Sequence, residues 1–183
     1  MRIGIDIDDT ITYTHEVILP MARLYDKKHY NNENKDNDLI GTFTWTDEEK
    51  DKFFNNFSLK YSKYLLIKNN ANTYINKLYD EGYEIYFITY RKFKNAYRVT
   101  KKYLDDNNFK YHKLIVNSGD KGKICSDEHI DIFIDDSISH LDSAYKYNKN
   151  IKLLLVDMPY NKNNNIYKRV FNWDDIYNII HNI

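Results

Sequence analysis

The sequence predicts an α/β fold: a parallel Rossmann-like sheet with helices on both faces, plus a small helical cap inserted after the first strand. Two patterns carry that expectation. Short runs that are apolar almost throughout, YEIYFIT at 83–89, IDIFID at 130–135 and IKLLLV at 151–156, alternate with segments of helical period. Strands lacking a polar face belong to parallel sheets covered on both sides. Between the first strand and this alternation lies a stretch of different texture, read as an insertion. The division is therefore 1–11 and 80–183 for the core, and 12–79 for the cap.

The elements come in this order. RIGIDI at 2–7 is rich in β-branched residues and too short for a helix. HEVILPMARLYDKKH has helical spacing at Val17, Ile18, Met21 and Leu24, with Pro20 kinking it or standing in an early turn. NNENKDNDLIGT reads as a loop. Thr46 and Glu49 have capping-box spacing, so a helix should start near Trp45. NNANTYINKLYDEG is another helix, with Gly82 as its stop. The 83–89 strand is followed by a helix at 94–107, a short strand KLIV at 113–116, and a helical turn or short helix in DKGKICSDE. After the 130–135 strand come a helix at 138–147, the strand IKLLLV, and a last helix in WDDIYNIIHN.

Composition narrows the function. At 183 residues the chain is long enough for a substantial core. Its 27 basic and 27 acidic residues cancel, which argues against a surface dedicated to a nucleic-acid polymer. Cys125, the single cysteine, has no partner for an internal disulfide and reads as a small, partly buried apolar residue. No apolar run is long enough to span a membrane, and the acid-interrupted start does not read as a signal peptide, so a cytoplasmic protein is expected. Asn-rich runs such as NKNNN at 161–165 read as surface loop filler.

The chemistry sits where the strands end. The first closes on Asp6-Ile7-Asp8-Asp9-Thr10, the second on Thr89-Tyr90-Arg91, and the 130–135 strand on Asp135-Asp136-Ser137, with Asp120-Lys121-Gly122-Lys123 just before it. Any one of these alone reads as a loop or helix-cap residue. In a parallel sheet they gather at one edge, where ligands of such sheets bind. Burying so many carboxylates requires compensation from a divalent cation, a buried lysine or solvent. Carboxylates from two strand ends can share Mg²⁺, which also takes phosphate oxygens. Asp6 could then attack phosphorus, Asp8 serve as general acid, Thr89 hold a phosphate oxygen, and a lysine hold an anion.

The motifs DIDDT, FIT, DKGK and FIDDS resemble motifs one to four of the haloacid dehalogenase-like hydrolase superfamily. More narrowly they resemble its 5′(3′)-deoxyribonucleotidases and their bacterial relatives, which share DIDDTI, IDDS and a late segment matched here by Tyr160-Asn161, Arg169-Val170 and Asn172-Trp173. The resemblance implies Asp6 as nucleophile and Asp8 as acid/base with its carbonyl on Mg²⁺. It makes Thr89 and Lys121 the remaining catalytic residues, with Lys123 as the alternative lysine. Asp135 and Asp136 complete the metal set, in an order left open. Thr10, Tyr90, Arg91 and Trp45 are the substrate-side candidates, Thr10 as a support for its loop and Arg91 as a phosphate contact. Tyr90-Arg91 departs from the small hydroxyl residue that follows the threonine in the animal enzymes. Cap aromatics, Tyr13, Phe43 and Trp45, could stack on a base. His15 lies near the expected cap mouth, and Asp9 is the bystander, facing solvent or holding the loop into the cap.

The expected activity is a Mg²⁺-dependent phosphomonoesterase on nucleoside monophosphates, with a sugar phosphate or another small ester as the alternative substrate. No membrane partner is expected, and a homodimer is left open. Dehalogenation is disfavoured by the acids placed for phosphate and metal. A phospho-receiver module is disfavoured because the 113–116 strand lacks an immediate acid and such modules lack the insertion.

Overall fold

The computed structural model describes residues 1–30, 43–163 and 165–182. The NNENKDNDLIGT loop expectation lies outside these residues, as does Asn164 within NKNNN.

Among the described residues the sheet has six parallel strands: β1 (Arg2–Ile5), β2 (Glu84–Ile88), β3 (Lys113–Ile115), β4 (Ile132–Asp135), β5 (Lys152–Val156) and β6 (Lys168–Val170). Their order is β3-β2-β1-β4-β5-β6, so the chain leaves β1 for both sides of the sheet and β1 lies at the switch point. Register is fixed by pairs such as Ile5 with Phe87 and with Ile134. β6 was not expected. Its three residues, Lys-Arg-Val, include two charged side chains and carry no apolar run, as an edge strand permits.

The core helices are α3 (Ala71–Asp80), α4 (Ala96–Asp106), α5 (Lys121–Asp127), α6 (Ile138–Tyr147) and α7 (Trp173–His181), and the insertion carries α1 (Thr14–Tyr30) and α2 (Asp47–Tyr61). The capping box forms: Thr46 N–H and Oγ1–H both donate to Glu49 (2.7 and 2.9 Å), and Glu49 N–H donates to Thr46 Oγ1 (3.3 Å). α1 runs on through Pro20, which stands in its second turn. Gly82 ends α3 at φ +91°, a conformation that L side chains rarely adopt. A Cβ on Gly122 would lie 2.3 Å from the Ser143 backbone, so glycine lets α5 press against α6.

The insertion is shorter than expected. The chain crosses itself at its base: Tyr13 N–H donates to Leu66 O and Lys68 N–H to Ile11 O, both at 2.9 Å. The helix just past this crossing, α3, belongs to the core, because its Ala71, Ile75 and Leu78 are buried, and Tyr74 meets Tyr177 of α7 at 5.1 Å. A helical pattern reports an apolar face but not the layer that covers it. No helix of the described residues is long and apolar enough to cross a membrane.

Candidate active site

Asp6 and Thr89 extend the strand ladders by one bond each. Asp6 N–H donates to Ile134 O (3.0 Å) and Thr89 N–H to Ile115 O (2.9 Å). Asp135 is the last residue of β4. The three therefore stand side by side at the carboxyl edge of β1, β2 and β4. The Lys121 ammonium reaches into this edge from the first turn of α5 and donates to Asp6 Oδ1 (2.5 Å) and Asp135 Oδ2 (2.8 Å). Both ends are out of water, Asp6 at 4 % exposure and Lys121 at 2 %. Lys123 points away and pairs with Asp127 on the exposed face. Of the two lysines, Lys121 is the one brought to the acids.

Asp135 is further held by Ser137 N–H (2.8 Å) and His140 Nδ1 (3.0 Å). Burial opposes its charge, but Lys121 and His140 outweigh burial and keep it below the ordinary carboxylate range. Burial likewise opposes the charge of Lys121, but Asp135 and Asp6 outweigh it and hold the ammonium protonated. Asp6 moves the other way: burial, with repulsion from Asp135 and Asp8, pushes it up despite Lys121. Two carboxylates on one lysine leave this edge negative. Asp136 adds to it, pushed well up by burial and then by Asp135, Asp6 and Asp9. Asp6, Asp135 and Asp136 each offer an oxygen, and these oxygens lie within 4.8 Å of one another. A set of hard oxygen donors with excess negative charge fits a divalent cation of the Mg²⁺ type.

Asp8 is not in that set. Its carboxylate faces Arg91, which donates Nε–H to Oδ2 and Nη2–H to Oδ1, both at 2.8 Å, while Thr14 donates to Oδ1 at 2.9 Å. Burial works against the charge of Asp8, but Arg91 and Thr14 hold it below its ordinary value. As a metal ligand Asp8 has its backbone carbonyl to offer. Arg91, expected on phosphate, is in this structure the ion-pair partner of the acid/base candidate. Thr10 is fully buried and donates to Asp136 Oδ1 (3.4 Å), so it supports an acid.

Asp9 does not face solvent. At φ +60° it turns its carboxylate to His15 N–H (2.6 Å) and the Tyr160 hydroxyl (3.0 Å), tying down the start of α1. Burial raises it to about 7. His15 is buried against Tyr160, with ring centroids 5.2 Å apart.

Between cap and core lies a cavity of about 440 Å³. Asp8 and Arg91 line it together with Ile18, Phe54, Phe57, Leu65, Tyr90 and Phe93. Tyr90, 47 % exposed, is one of these lining residues. Trp45 is not. It is 4 % exposed, donates to Asp26 (2.7 Å) and stacks on Phe43 at 4.8 Å inside the cap. Tyr13 lines a different cavity beside Lys68 and Met158. The signal for the true wall was in FFNNF: Phe53 and Phe57 share a buried face, and Phe54, one step out of phase, is half exposed.

Three further residues went unassigned to the site. Ser118 donates its N–H to Thr89 O (3.2 Å), and its buried hydroxyl has no hydrogen-bond partner among the described residues. Tyr160 and Asn161 both reach Asp136. Asn161, read as loop filler, is 2 % exposed.

No protein-family model matches the chain. It is 29 % identical over 138 residues to a nucleotidase of Clostridium acetobutylicum, covering 73 % of this chain and 69 % of that protein. It is 28 % identical to a candidate nucleotidase of Bacillus subtilis, covering 94 % and 90 %. Among solved structures it superposes on a haloacid dehalogenase-like family protein of Streptococcus pneumoniae with a TM-score of 0.69 at 13 % identity, covering 100 % and 98 % of the two chains. The resemblance read from the four motifs therefore holds: the chain has the haloacid dehalogenase-like hydrolase fold and is similar in sequence to bacterial nucleotidases.

Proposed function

We propose that the protein is a Mg²⁺-dependent phosphomonoesterase that works through an aspartyl-phosphate on Asp6 and prefers nucleoside monophosphates. The observation that carries this is Lys121 clamped between Asp6 and Asp135, with Asp136 close enough to share a cation with both. Hydrolysis of phosphate monoesters is the coarser reading, supported by the fold and by the nucleotidase relatives.

In this reading Asp6, Asp135, Asp136 and the Asp8 carbonyl would hold Mg²⁺, which would offset charge on the phosphoryl oxygens. Lys121 and Thr89 hold those oxygens in line with Asp6. An Asp6 oxygen attacks phosphorus, the bond to the leaving oxygen breaks, and Asp8 delivers its proton there. Water then attacks the aspartyl-phosphate and gives a proton to Asp8. The bond to Asp6 breaks, and inorganic phosphate leaves. Asp8 starts from a doubly bonded ion pair with Arg91, and a carboxylate so held is a poor acid. Arg91 must therefore loosen its grip as the substrate dianion enters, and the cavity they both line is where the two could meet.

The nucleoside preference rests on the aromatic wall of that cavity, where Phe54 and Tyr90 offer faces to a base. The test is a panel of ribo- and deoxynucleoside monophosphates and sugar phosphates, incubated with Mg²⁺ and read by phosphate release. We expect nucleotides to be turned over fastest. Faster turnover of sugar phosphates would move the assignment to the alternative ester. No release from any ester by folded protein would favour a regulatory module.

A further inference from the structure

Asp136 is held differently from its neighbour. Asp135 ends a strand and is gripped by groups of its own surroundings, whereas Asp136 lies past the strand, in the link to α6. Besides Thr10, which donates to its Oδ1 at 3.4 Å, its supports come from the far end of the chain. The Tyr160 hydroxyl contacts its carboxylate, and Asn161 Nδ2 donates to its main-chain oxygen at 2.8 Å and to Val156 O at 2.8 Å. Asn161 is in turn fixed by Arg169, which donates Nη1–H to Asn161 Oδ1 (2.6 Å) and Nη2–H to Asn161 O (2.8 Å), while Nη1 also meets Asp157 Oδ1 at 2.7 Å. Pro159 opens the one-turn helix Pro159–Asn161, and its fixed φ suits that place.

A carboxylate that binds a cation has to be aimed, and hydrogen bonds to its second oxygen and its backbone do the aiming. We infer that Tyr160, Asn161 and Arg169 form a strut that positions Asp136 for the divalent cation. This role depends on Asp136 being a metal ligand, as proposed for the active site. None of the three touches the reacting atoms, so they are positioning residues. The strut also accounts for β6: Arg169 is charged within a strand because its guanidinium is used on both Asp157 and Asn161.

Calorimetric titration of Mg²⁺ into wild-type protein, Tyr160→Phe and Arg169→Lys tests the strut. Tyr160→Phe removes only the hydroxyl. Arg169→Lys keeps a positive charge but loses the fork that holds Asn161 twice. We expect Tyr160→Phe to bind Mg²⁺ at least about tenfold more weakly, while its near-ultraviolet circular dichroism stays native. Excess Mg²⁺ should restore its rate, which would not happen if the hydroxyl served only the fold. Arg169→Lys should shift in the same direction. Mg²⁺ affinity of Tyr160→Phe within about twofold of wild type overturns the strut, and Arg169→Lys decides if the first variant does not fold. No Mg²⁺ binding by wild type removes the metal reading itself and this role with it.

Discussion

The two sides of the candidate site solve the same electrostatic problem differently. On one side Asp6 and Asp135 converge on Lys121, a fixed cation buried with them. On the other, Asp136 and Asp9 converge on Tyr160, a neutral hydroxyl with a single hydrogen for two carboxylates. Lys68 lies nearby and offsets Asp9 only in part. The first side carries its own fixed cation, one positive charge set against two carboxylates. The second is stable only if protons or a mobile cation supply the missing charge, and a cation is what phosphoryl transfer at Asp6 would use.

That contrast can be broken in several ways. The largest effect belongs to the nucleophile: Asp6→Asn should lower phosphate release by at least about 10⁴-fold while the near-ultraviolet circular dichroism stays native. Next comes the fixed cation. Lys121→Met strands two buried carboxylates, so urea denaturation should show a loss of about 3–5 kcal/mol. Loss well below that range would mean the acids are not compensated by Lys121.

The unfinished side should show itself through pH. Asp9 ionises at about 7 in the fold and Asp6 at about 6, and Asp136 is also raised, whereas all three ionise near 3.8 when unfolded. The fold thus retains protons that the unfolded chain releases. The melting temperature in chelator should therefore fall as pH rises from about 4 to about 7, each proton contributing up to about 1.4 kcal/mol per pH unit. Asp8 and Asp135, both lowered, titrate below this window and do not reverse it. Mg²⁺ at pH 7 should recover about 2.7 kcal/mol at a hundredfold excess over Kd. A melting temperature that rises with pH in chelator would contradict the assignment. The smallest effect is expected at Lys123→Ala, an exposed helix pair, which should leave rate and melting temperature unchanged.

The legible part of the molecule was the part with local signals. Apolar strands ending in acids placed Asp6, Thr89 and Asp135 at one edge, and the capping box and Gly82 marked helix ends. The choice between Lys121 and Lys123 was also readable in retrospect. Lys121 and Cys125, four apart, share the buried face of α5, whereas Lys123 and Asp127 share its exposed face. Other features depend on contacts with no local trace. Nothing in ANTYINKLYD says which layer α3 covers, and nothing around Asn161 says that its side chain closes on Asp136 across 25 residues of chain. The cap aromatics were misassigned for the same reason, because burial of Trp45 is decided by Asp26 and Phe43 and not by its own neighbours in sequence.

The central claim is that Asp6 carries the phosphoryl group. Turnover quenched with acid, followed by borohydride reduction and peptide mass spectrometry, reads this directly, because an acyl phosphate is reduced to the alcohol where it forms. The account predicts conversion of Asp6, and of no other carboxylate, to homoserine, dependent on substrate and Mg²⁺ and absent in Asp6→Asn. Robust phosphate release with Asp6 unmodified, or with the label on another acid, would contradict it.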